Sequence, residues 1–117
     1  MSPSTGLEGP YALSVAAIDR VVTETKPGVY VLERSTSPES FIVNYVGRSD
    51  SDVHERLKDW VGKNRYKRFK FSYMSSPKAA FEKECTIYHD FEHLDNEIHP
   101  QRPAESDWKC PRCYLFG

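Results

Sequence analysis

The chain has 117 residues, of which 38% are hydrophobic and 28% charged, and its net charge is −1. That length builds one domain with a modest core and excludes two, while the near-zero charge excludes a global basic field and leaves room only for a local patch. The apolar runs are far shorter than a membrane span, and three cysteines with no charged-then-apolar leader predict a reduced, cytoplasmic setting without a membrane partner.

Residues 1–10, rich in Ser, Pro and Gly, read as a flexible tail, and 11–117 as a single domain. Ser14 is placed to cap a first helix, with Val15, Ile18, Val21 and Val22 at helical spacing. Lys26-Pro27-Gly28 stops that helix. Two β-prone runs follow, Lys26–Arg34 and Phe41–Arg48, joined by turn-type residues 35–40, and they read as a long-looped antiparallel hairpin. Alternation puts Val29 and Val31 on one face and Tyr30 and Leu32 on the other, and lets Tyr30 share a face with Tyr45. Taken alone, that pair reads as ordinary cross-strand packing.

Ser49 with Asp52 three residues on resembles a capping box, and Val53, Leu57, Trp60 and Val61 then recur at helical spacing up to Gly62. Lys63, Arg65, Lys67, Arg68 and Lys70 form a basic run interleaved with Tyr66, Phe69 and Phe71. Such a run can grip a nucleic-acid backbone. Strand alternation explains part of it equally well, because Phe69, Phe71 and Tyr73 alternate with Lys70 and Ser72 as in a half-buried strand. Ser76 as cap and Pro77 at the first helical position begin a third helix, which runs through Phe91. From His93 onward the pattern is loop-like. The fold class is therefore α+β, a three-stranded, mostly antiparallel sheet flanked by helices.

The tripeptides Gly28-Val29-Tyr30 and Tyr45-Val46-Gly47, one in each hairpin strand, resemble the signature of the GIY-YIG nuclease family. Later landmarks keep the family's order. Arg48 follows the second tripeptide, Arg56 lies in the next helix within Glu55-Arg56-Leu57, Glu84 lies in the helix after the third strand, and Asn96 follows it. The resemblance covers about residues 26–98 and leaves 99–117 as a C-terminal extension. It implies an endonuclease acting on DNA ahead of RNA, with Tyr30, Tyr45, Arg48, Arg56, Glu84 and Asn96 as catalytic residues.

The chemistry of these side chains agrees with that implication. Phosphodiester hydrolysis needs an oriented water, counter-charge for the transition state and help for the leaving oxygen. Glu84 can hold one hard cation, Mg²⁺ or Mn²⁺, that keeps several waters. Arg56 can fork onto phosphate oxygens. A tyrosine is a poor base unless a cation lowers its pKa, and Arg48, three residues beyond Tyr45, is a candidate for that cation. Either Tyr45 or Tyr30 then activates or positions the water, and Asn96 holds the strand or the glutamate in place. Each residue has a plainer reading: Arg56 as an exposed helix arginine, Glu84 with Glu82 as solvated charges, and Asn96 as a turn cap.

A second cluster has metal-ligand spacing. Cys85 and His89 lie four apart on the third helix, and Cys110 and Cys113 form a Cys-x-x-Cys knuckle, a set suited to a structural Zn²⁺ that staples the tail to the helix. His99 is the alternative fourth ligand and His93 a weaker one. The plainer reading is a buried Cys85 with a free dithiol. The sequence leads to a metal-dependent endonuclease, monomeric or homodimeric. A non-catalytic nucleic-acid- or protein-binding module on the same sheet is the alternative, and convergence of Tyr30, Tyr45, Arg56 and Glu84 on one groove is the discriminator.

Overall fold

A computed structural model describes residues 5–34, 41–91, 94–96, 98–103 and 106–113. The predicted loop at 35–40 and His93 lie outside the described residues. The elements run β1 (Glu8–Ala12), α1 (Val15–Val21), β2 (Gly28–Glu33), β3 (Tyr45–Ser49), α2 (Val53–Lys63), β4 (Arg68–Tyr73) and α3 (Pro77–Asp90). No described helix is long and apolar enough to cross a membrane.

Three helix starts are set by short polar side chains. Ser14 Oγ accepts from Ala17 N at 3.2 Å, Asp52 Oδ1 from Glu55 N at 3.3 Å, and Ser76 Oγ from Ala79 N at 3.1 Å. The cap of α2 is thus Asp52, not Ser49, whose hydroxyl instead accepts from Asp52 N at 2.9 Å in the turn before the helix. At the other end of α2 the left-handed residue is Asn64, with φ 55°, so the helix passes through Gly62 before it stops.

The sheet has four strands in the order β1-β4-β2-β3, every neighbouring pair antiparallel, where the sequence pattern predicts three. The added strand takes in residues 8–10, which composition assigns to the tail. β1 pairs only with β4 and is mostly exposed, so it carries little of the apolar alternation that marks a strand.

Strand alternation divides the core in two. Tyr30, Leu32, Phe69 and Phe71 face α1 and α2, where they pack with Ile18, Val22, Val53 and Leu57. Val29, Val31 and Val46 face α3 and pack with Ala80 and Ile87. Each fully buried side chain of this size contributes about 1.5–3 kcal/mol. β2 is central and buried at all six positions. Its last residue, Glu33, is 0% exposed, and its carboxylate accepts from Arg68 Nε and from Ile42 N, both at 2.6 Å. β3 lies at the sheet edge, and the site forms along it.

Candidate functional site: a cleft astride the edge strand

The hairpin register sets the geometry. Tyr30 pairs with Gly47 and Leu32 with Tyr45, so the two tyrosines share the α2 face of the sheet, as alternation predicts. Arg48 pairs with Val29 and therefore points to the α3 face. An offset of three along a strand always reverses the face, so Arg48 is not the cation beside Tyr45. It meets α3 instead, donating from Nη1 to Glu84 Oε1 at 2.6 Å and from Nε to Asp50 Oδ1 at 2.8 Å. The cation on the tyrosine side is Arg56 of α2, whose positive charge acts on both Tyr30 and Tyr45.

A cleft of about 460 Å³ straddles β3, and all six residues singled out in the sequence line it: Tyr30, Tyr45, Arg48, Arg56, Glu84 and Asn96. Tyrosines and Arg56 enter from one side of the strand, and Arg48 and Glu84 from the other. Arg56 is exposed, and among the described residues its guanidinium has no hydrogen-bond or ion-pair partner. Asn96 grips the free edge of β3 at two points: its Oδ1 accepts from Val46 N at 3.0 Å and its Nδ2 donates to Val46 O at 2.8 Å. It is a positioning residue that satisfies edge-strand backbone groups beside the cleft.

Electrostatics assigns the side chains different states. Burial pushes the Tyr30 hydroxyl well above the ordinary tyrosine range, although Trp60 Nε1 donates to its oxygen at 2.7 Å. Tyr45 is raised too, by burial and then by the Glu84 charge. Neither tyrosine is a base at neutral pH. Burial also raises Glu84, which is only 7% exposed, while Arg48 pulls in the other direction.

Three contributors escape the sequence pattern: Asp50, Trp60 and the Gln101 carbonyl, which accepts from Arg48 Nη2. Trp60 stands four residues beyond Arg56, on the same helix face, and that spacing was its available signal.

The basic run divides. Lys63 lies over the Trp60 ring at 5.6 Å and Arg65 over the Tyr66 ring at 5.7 Å, beside the aromatic group of Tyr45, Trp60 and Tyr66 that adjoins the cleft. Lys67 is exposed. Arg68 is committed to buried Glu33, and Lys70 lies 5.0 Å over the Phe41 ring on the opposite face, so neither joins a track to the cleft.

The second cluster forms with one ligand exchanged. His89, His99, Cys110 and Cys113 bring one ligand atom each to within 4.8 Å of one another, a group that could hold a metal such as zinc. Both histidines belong to it, and Cys85 does not. Cys85 is 0% exposed, packed with Cys110 and Phe81, and burial drives its thiol up. Burial also opposes ionisation of Cys110, but the Arg112 N–H, His99 and Cys113 outweigh it and bring that thiol to about 7.

Comparison with protein-family models, with curated proteins and with solved structures finds no match for the chain.

Proposed function

We propose that the cleft is a GIY-YIG-type, metal-dependent endonuclease centre that hydrolyses DNA phosphodiester bonds in the cytoplasm. The observation that supports it is convergence. Six residues drawn from β2, β3, α2, α3 and the segment beyond meet on one cleft, in the combination that phosphoryl chemistry requires.

The donor set fits a hard cation. Glu84 supplies a carboxylate oxygen, Asp50 stands beside it across Arg48, and the cleft has room for bound water. Mg²⁺ or Mn²⁺ held there would polarise the phosphate and acidify water. Arg48, using Glu84 Oε1, fixes the carboxylate's direction and leaves its second oxygen to a ligand. Arg56 clamps the scissile phosphate and offsets the charge that grows on its oxygens. Tyr45, half-buried and protonated, orients the attacking water. The Tyr30 oxygen is taken by the Trp60 N–H, so its own proton is free to be donated into the cleft. Asn96 keeps β3 in register, and Lys63 and Arg65 extend the phosphate contact. Cleaving both strands of a duplex takes a homodimer or two encounters.

The His₂Cys₂ group is read as a structural Zn²⁺ site that fastens the tail to α3, with His99 replacing Cys85.

One observation favours the binding-module alternative: the Arg48–Glu84 pair already neutralises the carboxylate. Cleavage and binding measured together separate the two. With Mg²⁺ or Mn²⁺ and DNA, the nuclease reading expects strand breaks that Arg56→Ala removes. Tight binding with no breaks under either metal would establish the module.

A further inference from the structure

The tail is joined to the cleft as well as to α3. His99 contributes to the metal-ligand group and also lines the cleft, and two residues later the Gln101 carbonyl accepts from Arg48 Nη2. A second route runs through rings. Trp108 packs on Phe81 at 5.7 Å between centroids, and the Arg48 guanidinium lies over the same ring, 5.1 Å from its centroid. Glu84 and His89 stand on the same helix. Arg48 therefore has the edge strand on one side and the tail on the other.

Side-chain contacts rather than regular structure hold the tail there: Trp108 packs on Phe81, Cys110 is buried beside Cys85, and Arg102 Nη1 donates to Trp108 O at 2.8 Å. The described residues beyond Asp90 carry no helix or strand. Its knuckle is anchored by Arg112, which pairs with Asp90 and donates to Thr86 O at 3.3 Å. Such surface ties contribute little. The four ligand atoms lie within 4.8 Å of one another, and two of the edges between them already have the lengths a metal would give. His89 Nε2 lies 3.2 Å from His99 Nε2, and Cys113 Sγ lies 3.4 Å from His99 Nε2. Tetrahedral zinc with the usual bond lengths gives N···N edges of about 3.3 Å and N···S edges of about 3.6 Å.

We propose that zinc held by His89, His99, Cys110 and Cys113 fixes the 98–101 wall over Arg48, so that the metal keeps the Arg48–Glu84 pair in its working arrangement. The inference rests on the structural-zinc reading and extends it from a staple to a part of the cleft. Without zinc, residues 98–103 detach and Arg48 loses the Gln101 carbonyl. The sheet, packed by α1 and α2 on one face and by α3 on the other, remains.

The test is zinc analysis and hydrogen exchange on the full chain, untreated, after chelation and as Cys113→Ser. Neither measurement depends on any nuclease activity. The expected result is about one zinc per chain, and, once zinc is gone, exchange of the 98–103 backbone and of the Arg48 Nη2 protons that is faster by roughly tenfold or more. β2 and β4 should keep their protection. No zinc in the untreated protein would overturn both the zinc reading and the coupling. Zinc present, with unchanged exchange at 98–103 and Arg48 after its removal, would overturn the coupling alone. Loss of protection throughout β2 and β4 would make zinc a ligand of the whole fold and also overturn it.

Discussion

Tyr30 and Gly47 face each other across β2 and β3, and a Cβ on residue 47 would lie 2.5 Å from the Tyr30 hydroxyl oxygen. The ring of one strand thus lies over the bare backbone of the other, and this is what brings a fully buried tyrosine's oxygen to the cleft wall.

Gly47→Ala should therefore displace the Tyr30 ring. Overpacking of this kind costs about 1–3 kcal/mol, and it would also break the 2.7 Å bond from Trp60 to the tyrosine oxygen. Urea denaturation checks the stability, and loss of DNA cleavage beyond the stability change checks the site. A variant within about 0.5 kcal/mol of wild type would show that the strand edge yields freely.

Arg48→Ala strands a carboxylate. Both side chains of the Arg48–Glu84 pair are largely buried, at 12% and 9% exposure. Breaking a buried pair from one side costs about 3–5 kcal/mol. Removing both partners, as Arg48→Ala with Glu84→Gln, should cost less than Arg48→Ala alone, because no unpaired charge remains. A double variant less stable than Arg48→Ala would contradict the assignment of Glu84 as a charge held in place by Arg48.

The raised tyrosines predict alkaline behaviour. A tyrosine ionises near 10 when unfolded, and burial raises Tyr30 above that when folded. The folded state then holds its proton longer. The contribution to stability is complete below the unfolded value and is lost as pH rises past it toward the folded one. Stability followed from about pH 8 to about pH 11 should fall, and Tyr30→Phe should flatten that fall. An unchanged slope in Tyr30→Phe would count against a buried, protonated Tyr30.

Asn96→Asp keeps an acceptor for Val46 N and loses the donor to Val46 O, while bringing a negative charge to the cleft. A loss of about 1–3 kcal/mol is expected, and Asn96→Ala should lose a similar amount. Faster amide exchange at Val46 in both variants is the direct readout. Protection unchanged at Val46 would show that Asn96 does not hold the edge.

What was legible in the sequence follows its periodicities. Period two in Arg68–Tyr73 and helical spacing from Val53 and from Pro77 reflect burial of one face, and the continuous apolar run Val29–Leu32 reflects a strand covered on both, so those elements and the shared face of Tyr30 and Tyr45 could be read directly. β1 could not. It has Gly9-Pro10 in its middle, which reads as a loop, and it is held by pairing with β4 rather than by an apolar stripe. The face of Arg48 was legible too, since an offset of three from Tyr45 puts it on the opposite side of the strand.

The zinc ligands show a different limit. Cys85 and His89 do share a helix face, yet which of them meets the knuckle depends on how the irregular tail returns, and no local pattern encodes that path. The return brings His99 to His89 and leaves Cys85 beneath Cys110. The roles of Asp50 and the Gln101 carbonyl depend on the same long-range path.

The measurement closest to the central claim is cleavage of a panel of supercoiled plasmid, branched DNA and single-stranded DNA with Mg²⁺ or Mn²⁺, by the wild-type chain and by Glu84→Ala. Strand breaks by the wild type that require the added metal are expected. Their rate should fall by about a hundredfold or more in Glu84→Ala, with the variant's fold verified by its urea midpoint. Equal cleavage by both proteins, or none by the wild type on any substrate with either metal, would contradict a nuclease centre at Glu84.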